Sequence, residues 1–346
     1  TKAGATAHVL TALDCIAWLF NIRSADVPFN PVAISYALVT SRGAQLFCNP
    51  KKVTPQLRRA LSRTVRIQGY DRFGSELQRI ARGKTASVWV DAGTVNAWVL
   101  EKLGDCKRVE APSPIWKMKA AKNPTELAGI RDAHVRDGVA MVRFLCELDQ
   151  KIAADKKVSE LSAARRLSEI RAAGERYRGD SFETISGYAG HGAIVHYAVT
   201  EASSSRLRPK GLFLIDSGGQ YLDGTTDITR TVLLGPKASS KQRDRFTRVL
   251  KGHIAVALAR FPEGTAGRQL DVLARKALWD VGLEYAHGTG HGVGCYLNVH
   301  EGPQAISPTR CTGVPLEVGN VLSNEPGYYH EGKYGIRIEN LVEVIK

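Results

Sequence analysis

Gly211-Leu-Phe-Leu-Ile-Asp-Ser-Gly-Gly-Gln-Tyr-Leu-Asp-Gly-Thr-Thr-Asp-Ile-Thr-Arg-Thr-Val-Leu-Leu234 is the stretch that decides how the larger part of this chain folds. Its apolar run ends on Asp216, an alternating run opens at Asp227, and the turn-prone pair Asp223-Gly224 lies between them. That pattern predicts a β-hairpin. Its two arms place Asp216 and Asp227 on adjacent strands within reach of one site, with a bulge as one way to bring them level. Like charges so close need a cation. Read alone, the segment suits two solvated acids flanking a turn better than a site.

Downstream, His287-Gly-Thr-Gly-His-Gly-Val-Gly294 carries two imidazoles at the spacing of a helical zinc pair. The glycines at 288, 290, 292 and 294 oppose a helix and predict a loop that brings backbone close to a ligand. The glutamate that such a zinc motif needs after its first histidine is missing, and Val293 and Cys295 stand where a dinucleotide fingerprint needs its third glycine. His300 adds a third imidazole close by. Glu325 ends a strand-like run just before Pro326. In Ile336-Arg-Ile-Glu339, alternation puts Arg337 and Glu339 on one face, where a solvated face reads as well as a site. Together, Asp216, Asp227, His291, Glu325 and Glu339 supply four carboxylates and one imidazole. Two divalent ions sharing hard ligands require such a set. Four negative charges balance two dications, and a water between them is acidified toward neutral pH.

The 346 residues exceed the usual size of one core, so two domains are expected. The first part, to about residue 115, alternates strand-like runs (45–48, 87–90) with helical ones (55–63), an α/β pattern. Asp91 and His8 read as ordinary surface residues. Pro112, Pro114 and the basic run Lys117, Lys119, Lys122 predict a linker. Asn123-Pro-Thr-Glu126 then predicts a capped helix start whose Leu127, Ile130, Met141, Phe144, Leu145 and Leu148 face a core. Further helices are expected over 158–173, 240–260 and 267–281. Strands are expected over 211–216, 226–234, 320–325 and 334–345, making this unit α+β.

Apolar residues at 43% and charged residues at 24% are ordinary for a globular protein. The apolar runs 16–20 and 212–215 are too short to cross a bilayer, and residues 1–7 show no secretory signal. The six cysteines lack paired spacing and read as reduced, mostly buried thiols, which suits the cytoplasm. The net charge of +14 lies mainly on helix faces without interleaved aromatic residues, so no nucleic-acid partner is expected.

Five ordered motifs resemble the Xaa-Pro aminopeptidase (aminopeptidase P) family of pita-bread metallopeptidases: 215–231, 287–294, Asn298-Val-His-Glu-Gly-Pro303, Ser323-Asn-Glu-Pro-Gly327 and Gly335-Ile-Arg-Ile-Glu-Asn340. The resemblance implies an α+β pita-bread catalytic domain over 119–346. A smaller α/β creatinase N-terminal-like domain precedes it over 1–118, where 12–22 and 26–31 are similar to the middle domain of three-domain members. It implies further that Asp216 binds one metal, Asp227 and Glu339 bridge both, and His291 with Glu325 completes the second. Manganese is the family's usual ion, with zinc or cobalt as alternatives. Glu325 would act as general base, His196, His287 and His300 as substrate-binding and proton-shuttling groups, and Arg337 as a bidentate orienter of the neighbouring carboxylates.

The implied reaction is metal-dependent hydrolysis of the N-terminal Xaa-Pro bond by a hydroxide activated between two metals, releasing the first residue. The implied partners are peptides with proline second, with a homodimer as the family's common assembly and no membrane or nucleic acid. Two other readings stand beside it, a prolidase restricted to Xaa-Pro dipeptides and a non-catalytic pita-bread binding protein. The chain is also read as lacking an earlier domain and a final strand and helix of the family.

Overall fold

The computed structural model describes residues 4–61, 63–310 and 313–346, which fall into two compact units meeting at Lys119 and Ala120. In the first, strands β1 (Ala7–Leu10), β2 (Ser35–Thr40), β3 (Gly43–Cys48), β4 (Val65–Gly69), β5 (Ser87–Val90) and β6 (Lys107–Glu110) form one sheet in the order β4-β3-β2-β1-β5-β6. Helices α1 (Leu13–Phe20) and α2 (Pro55–Leu61) cover one face, where Ile16, Phe20 and Leu61 pack on Leu46. Helices α3 (Phe73–Ala81) and α4 (Ala97–Leu103) cover the other, through Phe73, Leu77 and Val99 against Leu38 and Phe47. The helix expected over 55–63 is thus seen to Leu61, and Ser62 lies outside the described residues.

Three expectations for this region are corrected. Asp91 is buried and accepts hydrogen bonds from Ser113 N and Trp116 Nε1, both at 2.8 Å. His8 stacks on Trp89 at 5.0 Å, and burial lowers its pKa to about 4. Both are internal structural groups. The expected linker instead carries α5 (Ile115–Ala120), and two of its three lysines are buried because acids meet them: Lys119 pairs with Asp14 at 2.9 Å and Lys122 with Glu301, while Lys117 is exposed. Of the described cysteines, Cys15 and Cys48 are buried, whereas Cys106 and Cys295 are half-buried and Cys146 is exposed. Thiols are therefore less buried than expected, and Cys311 lies outside the described residues.

The second unit starts with α6 (Pro124–Ala153), whose Asn123 side chain accepts from the Thr125 and Glu126 amides while Glu126 caps back. It is followed by α7 (Glu160–Ala172), β7 (Tyr177–Asp180), β8 (Ile185–Tyr188), β9 (Leu212–Ser217), β10 (Gly219–Tyr221), β11 (Gly224–Thr225) and β12 (Ile228–Leu233). Then come α8 (Ser240–Ala257), α9 (Gly267–Trp279), β13 (Gly290–Gly292), β14 (Glu301–Ile306), β15 (Val321–Asn324), β16 (Gly327–His330), β17 (Tyr334–Arg337) and β18 (Asn340–Glu343). The sheet orders are β11-β10-β7, β12-β9-β8, β14-β13-β15-β18 and β16-β17.

Each helix pair closes one side. Met141, Phe144 and Leu167 of α6 and α7 pack on Phe213 and Ile215 of β9. Val256, Leu270 and Ala274 of α8 and α9 pack on Ile306 and Leu322. Because strand side chains alternate, committing Phe213 and Ile215 to the first helix pair turns Asp216 to the opposite face. Among the described residues no helix is long and apolar enough to cross a membrane.

The expected hairpin exists but is bent. β9 and β12 pair antiparallel with Asp216 opposite Thr229, while the intervening chain forms a second, smaller ladder, β10 with β11, that joins β7. This tip is anchored by a buried ion pair: Arg171 Nε and Nη2 donate to Asp137 at 2.8 and 3.0 Å, and Tyr221 OH on β10 donates to the same carboxylate at 2.8 Å. Burial alone would raise the Asp137 pKa, but the guanidinium outweighs it and holds the group below its ordinary range. Removing one partner leaves a buried charge, so Arg171→Leu is expected to lower the unfolding free energy by about 3–5 kcal/mol. Urea unfolding checks this, as a lower midpoint at unchanged slope.

Candidate metal centre

Register places the first two acids. Thr229 lies opposite Asp216, and Asp227 precedes Thr229 by two residues, so the three side chains share a face and the two aspartates are diagonal neighbours. The glycine-rich segment is not wholly a loop: β13 runs between β14 and β15, with a bulge at His291/Gly292. Gly290 is required there, since a Cβ would collide with the Ser323 carbonyl. Glu325 leaves the end of β15 with its amide donating to Thr289 O at 2.8 Å.

The expected single strand over 334–345 is broken. β17 pairs with β16 and β18 with β15, and Ile338 and Glu339 make the crossing between the two sheets. Tertiary packing overrides the alternation here: Ile336, Arg337, Ile338 and Glu339 are all buried, so neither side is a solvated face. Glu339 is instead tied to β12, its amide donating to Thr229 O at 3.3 Å and its Oε2 accepting from Thr229 Oγ1 at 2.6 Å.

The nine side chains singled out from the sequence, His196, Asp216, Asp227, His287, His291, His300, Glu325, Arg337 and Glu339, line one cavity of ≈ 410 Å³. Within it, ligand atoms of Asp227, His291 and Glu339 lie within 4.8 Å of one another. His291 Nδ1 is 2.9 Å from Gly292 O, so it carries the proton and leaves a lone pair on Nε2. That lone pair faces Asp227 Oδ2 at 3.5 Å and Glu325 Oε1 at 3.4 Å. Three lone-pair donors converge there, an arrangement that fits a cation. Asp216 fits too: Arg337 Nη2 donates to its Oδ2 at 2.7 Å, while its buried Oδ1 has no hydrogen-bond partner among the described residues.

Electrostatics point the same way. Burial first, then the Asp216 and Glu325 carboxylates, push Asp227 well above its ordinary range. Burial with Asp227, Asp216 and Glu325 does the same to Glu339. Glu325 is raised by burial, with His291 and Arg337 opposing.

Arg337 departs from the bidentate reading. Only Nη2 reaches Asp216; Nη1 donates to Tyr329 OH at 2.8 Å and Nε to Thr229 Oγ1 at 3.3 Å. The fork is divided because Tyr329, on the strand paired with β17, stands beside its other end. Tyr329 OH also lies 2.8 Å from His287 Nε2, and His287 Nδ1 is 2.8 Å from Gly288 O. With Nδ1–H committed to a carbonyl, Nε2 accepts from the tyrosine hydroxyl. Burial lowers the His287 pKa to about 4, so the ring is neutral at pH 7. His300 packs edge-on against His291, with ring centroids 4.3 Å apart.

Four contributors escaped the sequence reading. Thr229 and Ser323 each hold one oxygen of a glutamate, Ser323 Oγ donating to Glu325 at 3.0 Å while accepting the His291 amide at 2.9 Å. Tyr329 links Arg337 to His287, and Arg275 on α9 donates to the carbonyls of Tyr285 and His287, each at 2.7 Å. Thr229 sits two residues from Asp227, a period-two signal that could have found it.

A buried set of carboxylates and an imidazole, with lone pairs converging in a solvent-reached cavity, is the make-up of a metallohydrolase centre. The chain belongs to metallopeptidase family M24, whose family model matches residues 128–346; that of the creatinase/prolidase N-terminal domain matches residues 1–126. It is 44% identical over 351 residues to a probable Xaa-Pro aminopeptidase P of Aspergillus fumigatus, covering 99% of this chain and 53% of that protein. A counterpart in Paracoccidioides brasiliensis is 43% identical, covering 99% and 57%. The chain thus spans about half the length of the curated relatives it matches.

Among solved structures, it resembles an X-prolyl aminopeptidase from Caenorhabditis elegans, described as a cytosolic enzyme with a di-nuclear active site. The TM-score is 0.95 at 38% identity, covering 100% of this chain and 57% of that one. A Xaa-Pro dipeptidase from Bacillus anthracis shares the fold, with a TM-score of 0.79 at 21% identity, covering 99% and 91%.

The raised carboxyls set a sign for stability. Asp227 and Glu339 bind protons more tightly folded than unfolded, so the metal-free chain loses stability as pH climbs above their ordinary values of 3.8 and 4.5. Asp227→Asn removes one repelling charge. In chelator at pH 7.5 it is expected to melt higher than the unsubstituted chain, by roughly 2–4 °C per kcal/mol relieved. Scanning fluorimetry from pH 5 to 8, with and without manganese, checks this; the order should reverse when the ion is added.

Proposed function

We propose that this chain carries the catalytic part of a Xaa-Pro aminopeptidase, with residues 119–346 as the catalytic domain and 1–118 as a non-catalytic domain. The observation that carries this reading is the convergence of Asp227, His291 and Glu339 ligand atoms beside Glu325 and Asp216 in the cavity that also holds His196, His287 and His300. Asp216, Asp227, His291, Glu325 and Glu339 would hold two divalent ions, manganese being our choice. When bound, these supply Lewis acidity toward a peptide carbonyl and toward the attacking water.

The chain's own groups do the rest. Arg337 holds Asp216, and Thr229 and Ser323 hold Glu339 and Glu325, so the donor oxygens are preset. Glu325, whose Oε1 lies 3.4 Å from His291 Nε2 in the cluster, would take a proton from the attacking water. His196 and His300 stand in the same cavity to bind the substrate backbone and to protonate the departing nitrogen. A proline nitrogen has no hydrogen before cleavage, so its site needs no acceptor; Phe182, Ile185 and Val195 offer the cavity an apolar wall for the ring. The relatives named as Xaa-Pro aminopeptidases favour this substrate over dipeptides alone, and the cytosolic C. elegans enzyme supports a cytoplasmic setting.

With manganese supplied, the chain is expected to release arginine from Arg-Pro-Pro, followed by chromatography of the products. Cleavage confined to Xaa-Pro dipeptides would replace the assignment with prolidase, and no cleavage of either would leave a binding role. Asp227→Asn should reduce turnover by more than about 100-fold, beyond what loss of a supporting group around a metal does.

A further inference from the structure

His253 lies outside the cavity and outside every motif read from the sequence, yet it is one of the most fully bonded side chains behind the centre. It projects from α8 and is only 7% exposed. Its Nδ1 is 3.0 Å from the carbonyl oxygen of Asn324, and the Asn324 side-chain amide donates back to the His253 carbonyl at 2.9 Å. Its Nε2 is 3.4 Å from Asn340 Nδ2. Asn340 Oδ1 in turn accepts from Arg230 Nη2 at 2.9 Å, and Arg230 Nη1 donates to the Glu339 carbonyl at 2.7 Å.

The donors and acceptors run in one direction. Arg230 donates to Asn340, whose amide hydrogens therefore face His253; the ring accepts on Nε2 and donates from Nδ1 to Asn324. This is the neutral tautomer. Burial, reinforced by the nearby Arg230 charge and opposed by the backbone contacts with Asn324 and Ile338, lowers the pKa of the ring and favours its neutral form.

The two asparagines are a facing pair of the β15–β18 ladder. Asn324 immediately precedes Glu325, and Asn340 immediately follows Glu339. We infer that His253 is a positioning residue for the cation centre, a clamp from α8 that fixes the spacing of Glu325 and Glu339 by holding the neighbour of each.

The inference rests on the metal reading proposed above. It follows from the physics of that site: Glu325 and Glu339 repel one another when both are charged, so without cations the strand ends carrying them are pushed apart as the pair ionises. A clamp bonded to both ends resists that separation and presets the donor oxygens. Groups that orient metal ligands from behind typically contribute 10–100-fold in metal affinity.

The test is calorimetric titration of the whole chain with Mn2+ alone. His253→Leu fills the volume without either hydrogen bond and is expected to bind about 10–100-fold more weakly. His253→Asn, whose amide reproduces the Nδ1 donor to Asn324, should recover most of that loss. Wild-type affinity in His253→Leu, or equal weakness in both variants, overturns the clamp. Should His253→Leu not fold by circular dichroism, Asn340→Ala decides: its side chain is exposed, and it severs the link between Arg230 and the ring. Weakened Mn2+ binding then supports the clamp and unchanged binding rejects it. If the unsubstituted chain takes up no Mn2+, the metal reading and the clamp fall together; two tightly bound ions with indifferent variants sink the clamp alone.

Discussion

Repulsion among Asp216, Asp227, Glu325 and Glu339, four carboxylates drawn into one buried space, is the constraint around which the second unit is organised. Charges at such separations interact by several kcal/mol when water is excluded, at an effective dielectric of about 20. Arg337, bonded to Asp216, offsets one of the four. The protein therefore has two ways to keep the cluster: bind protons, as the raised pKa values of Asp227, Glu325 and Glu339 show, or bind cations. The convergence of lone pairs from His291, Asp227 and Glu325 suits the second, because a proton shared between two of them leaves the third unsatisfied.

Holding such a set needs stiffness in several directions, and the fold supplies it by taking the acids from strands in different sheets. Asp216 and Asp227 come from one antiparallel ladder, Glu325 from the end of another, and Glu339 from the crossing between two. Threonine hydroxyls sew these together: Thr231 Oγ1 bonds both the carbonyl and the amide of Arg337, at 3.0 and 3.1 Å, and Thr229 bonds Glu339. Behind them the two helix pairs fill the rear with apolar side chains, so the acids cannot relax outward into the core.

Local pattern revealed much of this and missed the rest for identifiable reasons. The capped start at Asn123, the aspartate hairpin and the helix following Ser239 are written in short-range preferences, and all three are present. The break at Ile338 is not, because alternation continues unperturbed through Ile336 to Glu339 while the two halves of the run join different sheets. Asp91 read as a surface residue, and Lys119 and Lys122 as part of a linker, because their partners, Trp116 for the first and Asp14 and Glu301 for the others, are remote in sequence. Ser323, Tyr329 and Arg275 carry no local mark at all. Each matters through hydrogen bonds that only tertiary packing brings together, Ser323 with His291, Tyr329 with His287 and Arg275 with the carbonyls of Tyr285 and His287, which composition and periodicity do not encode.

The three histidines that line the cavity beside His291 cannot be equivalent. His287 has its Nδ1–H on the Gly288 carbonyl and its Nε2 on the Tyr329 hydroxyl, and Tyr329 is itself fixed by Arg337, which holds Asp216. To deliver a proton to a substrate, this ring would have to charge first, against the burial that lowers its pKa to about 4, and then displace a hydroxyl tied to the acidic cluster. Its position suits a rigid wall that transmits the placement of Asp216 to the glycine-rich segment. His300 is exposed and packs edge-on to His291; although partial burial lowers its pKa to about 4 as well, its ring reaches solvent, where a proton can exchange without displacing a hydroxyl tied to the acidic cluster. Under the proposed reading, proton traffic is therefore better served by the exposed ring than by the hydrogen-bonded wall, which separates groups that sequence alone leaves interchangeable.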